Sequence, residues 1–326
     1  MGKTHKKIVM AGVCCLMISM LTGCGNDTTK ITEGMQLVET LDYQGALTAF
    51  DEAEAQKENS RLIARGRGIA SMGLTEYDQA VQYFTAAYRK NGQPAEAKKV
   101  YDAILGLKPE EKDAYFLRGS AELELGDYES AKADFDKAIS MDPKNYDRLI
   151  EIYEALADYG YREVGQEYLQ NVLNTDKKLD TYDSGRIYYY LGDYQKAYLA
   201  LEEAKGKGGV DSYLYLGKAY AATGDYNYAS SVYSNYLSKQ GPDAEIYNQL
   251  GLCELEKKDY QKALEAFQAG KQIEGNSLMQ TLSFNEIVAY EYLQDYQKAA
   301  VLLKAYLQNY PDDQTAIREQ QFLSTR

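Results

Sequence analysis

The chain has 326 residues and carries 49 acidic side chains against 36 basic ones, which gives a net charge of −13. This balance disfavours nucleic acid as a partner, because proteins bind it through basic patches that release counterions. Solubility accounts for the acidic charge, and a basic partner is the alternative explanation. Beyond the N-terminal segment, no stretch of the sequence is long and apolar enough to span a membrane.

The first segment has the layout of a signal peptide. Three lysines near the start precede an uncharged apolar run over residues 8–21, which is too short for a comfortable membrane span. The run ends in Leu21-Thr22-Gly23-Cys24, which resembles the lipobox of bacterial lipoproteins. In that family the cysteine thiol is diacylated and the chain is cut just before it. The resemblance implies that residues 1–23 are removed and that Cys24 carries the lipid.

Two acyl chains on Cys24 are about what stable anchoring takes. Residues 24–29 would then form the anchor and a short tether, which reaches at most ~3.3 Å per residue. The body of the protein is therefore expected at the cell membrane, on its extracytoplasmic face. An uncleaved anchor and an ordinary signal peptide are the alternatives for this segment.

The motif Asp/Glu-Tyr-x-x-Ala occurs seven times along the chain. Its alanines are Ala46, Ala80, Ala131, Ala197, Ala229, Ala263 and Ala299. By subtraction, the steps between them are 34, 51, 66, 32, 34 and 36 residues. The second step is one unit plus half a unit, and the third is close to two units. A fixed period in this range predicts a stacked repeat array.

Each unit shows two helical stripes separated by a turn. In the unit around Ala229, the first stripe includes Leu216 and Gly217, and the second stripe starts at Tyr226. A glycine recurs twelve residues before the alanine, at Gly34, Gly68, Gly119, Gly185, Gly217 and Gly251. A glycine inside a helix costs about 1 kcal/mol relative to alanine. Its return at one phase therefore predicts that the alanine of the second helix packs closely against it.

These marks resemble the tetratricopeptide repeat over residues 30–312. The resemblance implies an all-α fold, an α-α superhelix of about eight antiparallel helix pairs. Proline at Pro143 and Pro311 stands where the second helix of a unit is expected to stop. Residues 313–326 would form a C-terminal capping segment, with a polar helix over Gln314 to Leu323.

Two places depart from the repeat pattern. The unit that contains Tyr161 and Gly165 has Tyr153 where the other units have glycine. The segment from Pro94 to Leu107 reads as a second helix whose own first helix is missing or is shared with residues 77–89. We therefore expect different local packing at both places.

The side chains that most catalytic sites need are scarce. The single histidine, His5, lies in the segment expected to be removed, and Cys253 is the one cysteine left after Cys24 takes lipid. Triads that use histidine and zinc sites that use imidazole or several thiolates are thereby excluded. The sequence predicts no catalytic residue, no metal site and no cofactor. A hydrolase that uses two carboxylates is the remaining enzymatic alternative.

Tyrosine is abundant, with 32 residues against 7 phenylalanines and no tryptophan. Many hold packing phases, but the first helix of each unit should line the inner wall of the array. We expect partner-binding side chains one residue after the glycine phase, three before it, and four or five after it. These positions give Tyr182, Arg186, Tyr189, Tyr190, Lys218, Asn248, Arg65 and Phe116. Aromatic rings beside arginine are typical of binding hot spots, whereas packing of Tyr189 or Tyr190 on the next repeat is the alternative.

The sequence thus predicts a membrane-anchored lipoprotein that acts as a non-catalytic scaffold or adaptor for an unidentified protein or peptide. Capture of a glycan or small ligand by the tyrosines is the alternative function. Exposed coplanar tyrosines would favour the glycan, and a groove of mixed charge with apolar sites would favour the peptide.

Overall fold

The computed structural model describes residues 29–325. The predicted signal peptide, Cys24 and nearly all of the tether lie outside the described residues. Within them the chain forms 18 α-helices, one short 3₁₀ helix over Arg89–Asn91, and no strand. The predicted all-α fold is confirmed, and none of the described helices is both long and apolar enough to cross a membrane.

The helices are α1 (Thr29–Glu39), α2 (Tyr43–Ala55), α3 (Ser60–Gly73), α4 (Tyr77–Tyr88), α5 (Pro94–Leu107), α6 (Lys112–Glu124), α7 (Tyr128–Met141), α8 (Tyr146–Asp158), α9 (Arg162–Thr175), α10 (Thr181–Tyr190), α11 (Tyr194–Glu203), α12 (Val210–Ala222), α13 (Tyr226–Lys239), α14 (Ala244–Glu256), α15 (Tyr260–Lys271), α16 (Met279–Tyr292), α17 (Tyr296–Asn309) and α18 (Gln314–Leu323).

The chain divides into two compact units, with the boundary between Tyr168 and Leu169 inside α9. In the first unit, neighbouring helices pack as the hairpins α1–α2, α3–α4 and α6–α7. Helix α8 pairs with α9 through the contact of Tyr153 with Gly165. In the second unit the hairpins are α10–α11, α12–α13, α14–α15 and α16–α17. The expected eight pairs account for sixteen helices, and α5 and α18 are the remaining two. Each unit is a stack of hairpins of the α-α superhelix class.

The aspartate of the Asp/Glu-Tyr-x-x-Ala motif caps the second helix of its hairpin. In six hairpins its carboxylate accepts a hydrogen bond from the amide of the third helical residue, as Asp225 does from the Tyr228 amide. Glu76 stands at the same place but makes no such bond, because its side chain is one carbon longer. Capping explains why aspartate precedes tyrosine in these six units.

The glycine of the first helix faces a large side chain that the sequence analysis did not single out. A Cβ on Gly68 would lie 2.7 Å from the ring of Phe84, and one on Gly217 would lie 2.2 Å from the ring of Tyr233. Both rings come four residues after the repeat alanine and are fully buried. The predicted close approach of the repeat alanine is also present, since a Cβ on Gly119 would lie 3.1 Å from the Ala131 carbonyl oxygen. The glycine makes room for the large side chain one turn further along.

Helix α5 uses α4 as its first helix. Tyr101 occupies in α5 the position that the buried ring occupies elsewhere, and it is 0% exposed. Its hydroxyl lies 2.8 Å from the Thr85 hydroxyl of α4, at the phase where other units place glycine. The interpretation of a half unit that shares residues 77–89 agrees with this contact. Helix α4 thus buries one side on α3 and another on α5.

The unit with Tyr153 inverts the usual arrangement of sizes. Tyr153 lies on α8, and a Cβ on Gly165 of α9 would come within 2.9 Å of its ring. The large side chain is here on the first helix and the small residue on the second. The irregularity in the sequence is therefore a tyrosine at the glycine phase that packs against a glycine at the alanine phase.

Candidate functional site

The first helices of the hairpins carry the candidate residues of the second unit. Tyr182, Arg186, Tyr189 and Tyr190 lie on α10, and Lys218 lies on α12. Together with Tyr215 of α12 they form one set of contacting side chains, which we call the tyrosine cluster. The positions selected from the repeat phase therefore come together, and Tyr215 completes them.

The rings of the tyrosine cluster meet edge to face. Tyr189 and Tyr190 have centroids 5.4 Å apart at an interplanar angle of 82°. Tyr215 lies 5.7 Å from Tyr189 and 5.9 Å from Tyr190. The hydroxyls of Tyr190 and Tyr215 are 3.0 Å apart, within hydrogen-bonding distance. All three tyrosines are half-buried, so part of each side chain remains accessible to solvent.

Arg186 lies beneath these rings and is 8% exposed. Its guanidinium carbon is 5.0 Å from the Tyr182 ring centroid and 5.5 Å from that of Tyr215. Its Nη1 is 3.4 Å from a carboxylate oxygen of Asp183. A cation between two aromatic faces stabilises both ring positions. Arg186 therefore orders the cluster from below, rather than offering an open charge.

Lys218 links the cluster to a polar continuation on α14. Its Nζ is 6.0 Å from the Tyr215 ring centroid and 3.6 Å from a carboxylate oxygen of Glu245. One turn further along α14, the buried Asn248 accepts a hydrogen bond of 2.9 Å from Asn285 of α16. The face of the second unit thus passes from aromatic to mixed polar side chains.

The two candidate residues of the first unit are covered and lie apart from each other. Phe116 is 8% exposed, and the Arg148 guanidinium lies 4.0 Å above its ring centroid. Arg65 is 7% exposed and lines a small cavity beside Tyr88. With Arg186 and Asn248, four of the eight predicted residues are therefore buried. Their contact with a partner stays a prediction.

A second group of tyrosines stacks face to face, and the repeat phase did not select it for binding. Tyr198 and Tyr220 have centroids 4.7 Å apart at 12°, and Tyr228 stacks on Tyr220 at 5.4 Å and 23°. Tyr228 is 60% exposed. Burial, helped by the nearby Glu202 carboxylate, raises the pKa of Tyr220 to about 12, so its hydroxyl stays protonated at neutral pH. A search for tyrosine at the end of one helix and the start of the next would have found this group.

Cys253 is a core residue. It is 4% exposed and packs in the core formed by α12, α13 and α14. Burial raises the pKa of its thiol to about 12. Because the thiolate is the nucleophile and the metal ligand, this thiol is unreactive at neutral pH. The described part of the chain contains no cluster of three or more His, Cys, Asp or Glu side chains that could hold a metal ion.

Family models of the tetratricopeptide repeat match two parts of the chain. Models described as tetratricopeptide repeats match residues 87–146, which include α5, α6 and α7, and residues 284–313, which include most of α16 and α17. A third model, described as a protein of unknown function (DUF1347), matches residues 211–295.

Individual relatives are distant. A TPR repeat-containing protein of Methanocaldococcus jannaschii is 24% identical over 200 residues, covering 53% of this chain and 35% of the relative. A UDP-N-acetylglucosamine–peptide N-acetylglucosaminyltransferase of Giardia intestinalis is 26% identical over 155 residues, covering 47% of this chain and 10% of that protein. The chain thus spans little more than a third of the length of the first relative and a tenth of the second.

Among solved structures, a tetratricopeptide repeat protein from Parabacteroides merdae is 14% identical, with 80% of this chain and 98% of that chain covered and a TM-score of 0.48. The family models and the archaeal relative support tetratricopeptide repeats in this chain.

Proposed function

We propose that this chain, which carries tetratricopeptide repeats, is a non-catalytic, membrane-anchored lipoprotein that binds a protein or peptide partner. The observation that carries the proposal is the tyrosine cluster of the second unit. It combines half-buried aromatic rings, hydroxyl groups and adjacent charges, which is the composition of binding hot spots. Proteins with tetratricopeptide repeats generally act as protein-interaction scaffolds.

The geometry of the cluster favours a peptide over a sugar. Its rings meet at steep angles, 82° for Tyr189 with Tyr190 and 71° for Tyr189 with Tyr215, so they present edges and hydroxyls rather than parallel faces. Peptide groups hydrogen-bond to such hydroxyls, and the ion pair of Lys218 with Glu245 adds both signs of charge. A partner segment with alternating apolar and polar side chains matches this surface.

Capture of a glycan is the second candidate, and the stacked group favours it. Tyr198, Tyr220 and Tyr228 are nearly parallel, and Tyr228 leaves much of its ring exposed. A sugar ring stacks on such a face. This alternative uses a different set of tyrosines, so variants can separate it from the peptide hypothesis.

The membrane anchor is part of the same proposal and rests on residues 1–24 of the sequence. Cells that produce the chain should incorporate labelled palmitate into it, and Cys24→Ser should abolish the label. A Cys24→Ser chain that is still labelled would contradict lipidation at this thiol.

The interaction is tested by affinity purification from detergent-solubilised membranes, followed by mass spectrometry. We compare the native chain with a cluster variant, Tyr189→Ala/Tyr190→Ala/Lys218→Ala, which leaves the buried Arg186 in place. A matched control, Tyr198→Ala/Tyr228→Ala/Lys196→Ala, alters the same residue types: two tyrosines of the stacked group and the exposed Lys196 on the helix of Tyr198. We expect one protein to elute with the native chain and the control and to be lost from the cluster variant.

Circular dichroism establishes that each variant is folded. A partner that elutes equally with all three chains would reject the tyrosine cluster as its binding site. A ligand lost only from the control would support the stacked group, and glycan-array binding would then identify its class.

A further inference from the structure

Helix α5, which lies outside the regular pairing, borders a small, partly open cavity in the first unit. The cavity has a volume of about 130 Å³. Its walls come from three helices and a connection: α3 contributes Arg61, Leu62 and Arg65, the end of α4 contributes Tyr88, and α5 contributes Glu96. Gln93, the residue just before α5, completes the lining. Arg61 and Arg65 are one turn apart on α3, so both side chains point to the same side of that helix.

Arg65 is a buried cation with no carboxylate partner. It is 7% exposed, and its buried Nε has no hydrogen-bond partner among residues 29–325. Within the same residues, neither Arg61 nor Arg65 forms an ion pair, although Glu96 lines the same cavity. Five other arginines do pair with carboxylates: Arg67, Arg89, Arg118, Arg148 and Arg186. In a chain with an excess of acidic residues, an unpaired buried guanidinium is an exception that calls for an anion.

Tyr88 does not supply that anion. Its ring is 9% exposed, and burial raises the pKa of its hydroxyl, although the nearby Arg65 opposes the shift. The hydroxyl is therefore protonated at neutral pH. It can accept a hydrogen bond from Arg65 and donate one to a ligand, but it leaves the positive charge uncompensated.

We propose that this cavity binds the carboxylate group of a ligand. Two guanidinium groups and the single carboxylate of Glu96 give the walls a charge of +1, which one carboxylate neutralises. A dianion such as phosphate would meet repulsion from Glu96. The space equals about four water molecules, which fits a carboxylate with one or two carbons attached. Arginine binds a planar carboxylate through two parallel N–H groups. The buried Nε of Arg65, which lines this cavity, has no hydrogen-bond partner among residues 29–325.

This inference deepens the proposed scaffold role, since Arg65 is one of the residues predicted to bind a partner, but it concerns a site separate from the tyrosine cluster. The carboxylate has two possible sources, a free small acid or an acidic side chain of a bound peptide. The structural requirement on the protein is the same for both sources.

Sodium acetate is the first probe. The thermal unfolding midpoint of the full chain in detergent micelles is measured in acetate, chloride and phosphate at equal ionic strength, and acetate binding is measured by calorimetry. We expect acetate alone to raise the midpoint.

Three variants test which arginines hold the acetate. Arg65→Met keeps the side-chain length and removes the charge, and it should abolish the difference in unfolding midpoint between acetate and chloride. Arg61→Met should weaken acetate binding at least about tenfold, whereas Arg67→Met, on the same helix but paired with Asp51 and Glu54, should leave it unchanged.

An acetylated and amidated Gly-Glu-Gly peptide distinguishes the two sources, with Gly-Gln-Gly as its control. Tighter binding of the Glu peptide than of acetate assigns the site to a peptide side chain, and binding of acetate alone assigns it to a free acid. Equal midpoints in acetate and chloride, a larger effect of phosphate, or an acetate response that survives both Arg65→Met and Arg61→Met would overturn the proposal. If Arg65→Met does not fold, calorimetry on the native chain and on Arg61→Met decides. The cluster variant should keep its acetate response, so the two proposals fail separately.

Discussion

Twelve of the 32 tyrosines lie in the first unit and 20 in the second, whereas the first unit holds the longer continuous core. In the first unit one cluster of buried side chains runs from Ile31 to Ala121. The second unit divides its core into smaller clusters, each spanning two or three helices, with half-buried tyrosines packed around them. All four phenylalanines of the first unit are buried in its core, whereas most tyrosines of the second unit are only half-buried and Tyr233 and Tyr306 are the buried ones. The phenylalanines of the first unit therefore serve its stability, and most tyrosines of the second unit cover the core at its edge.

The contrast is clearest at the position four residues after the repeat alanine. The first unit places phenylalanine there in three hairpins, at Phe50, Phe84 and Phe135. The second unit places Leu201, Tyr233, Phe267 and Leu303 there. The same contact with the first helix thus tolerates several side-chain shapes, and the large residue there is not always an aromatic ring.

The largest expected effect comes from removing a ring of the first unit. Phe84 is fully buried against Gly68, so Phe84→Ala should lower the free energy of unfolding by ~3–5 kcal/mol. Guanidinium unfolding followed by circular dichroism measures the change. Tyr189→Ala in the second unit, where the ring is half-buried, should cost much less. If the two substitutions cost the same, the proposed division of roles between the units fails.

The next effect concerns the glycines. Gly217→Ala would place a Cβ 2.2 Å from the Tyr233 ring, so we expect a loss of ~1–3 kcal/mol despite the better helix propensity of alanine. In a Tyr233→Ala background the same change should be neutral or stabilising, which gives a strong coupling in a double-mutant cycle.

Gly106 in α5 has no atom of another element within 4 Å of its Cβ position, so Gly106→Ala should stabilise the chain by ~0.5–1 kcal/mol. Equal effects at Gly217 and Gly106 would contradict the packing explanation.

The sequence predicted the repeat, the helix pairs and the glycine phase, because these follow from periodicity alone. It did not predict the ring that fills the space at the glycine. Phe84 and Tyr233 look like ordinary core residues when each repeat is considered alone, and a single sequence does not show which of several apolar positions meets the glycine. The half unit at Pro94 to Leu107 was predicted from the 51-residue step between Ala80 and Ala131. The structure shows that this helix contacts α4 through the hydroxyls of Thr85 and Tyr101.

The phase rule selected Tyr182, Arg186, Tyr189 and Tyr190 on one helical stripe, and the structure brings these side chains together. Their role in binding a partner stays a prediction. The phase rule missed Tyr215, which stands two residues before Gly217 and outside the selected phases. The rule also could not foresee burial, because exposure depends on how closely the neighbouring helices approach. Arg65 is covered by the irregular helix α5, whose placement no repeat pattern specifies.

A smaller effect is expected at the C-terminal end of the second unit. Burial and the neighbouring Glu319 raise the pKa of Glu291 to about 7, while an unfolded glutamate titrates near ~4.3. The folded chain therefore holds an extra proton between these values. The stability it confers is complete below ~4.3 and is lost as the pH rises through about 7.

Glu291→Gln should remove this pH dependence and make the chain ~1–2 kcal/mol more stable than the native form at pH 8, a figure reduced for solvent screening. Unfolding curves at pH 5 and pH 8 measure both quantities, with the exposed Glu274→Gln as the matched control. A native chain whose stability does not change over this range would refute the assignment.

The smallest expected effect tests what holds the tyrosine cluster together. Tyr190→Phe removes one hydroxyl of the 3.0 Å contact with Tyr215 and should cost ~0.5–1 kcal/mol, because the remaining hydroxyl can turn to water at this half-buried place. Tyr228→Phe, whose ring is 60% exposed, is the control and should change the stability little. The same two variants also test how the tyrosine cluster of the second unit binds a peptide partner. If a peptide partner uses the hydroxyls, Tyr190→Phe weakens its capture although the ring stays in place. If it uses the ring edges alone, capture survives Tyr190→Phe and is lost only when Tyr189 and Tyr190 are truncated.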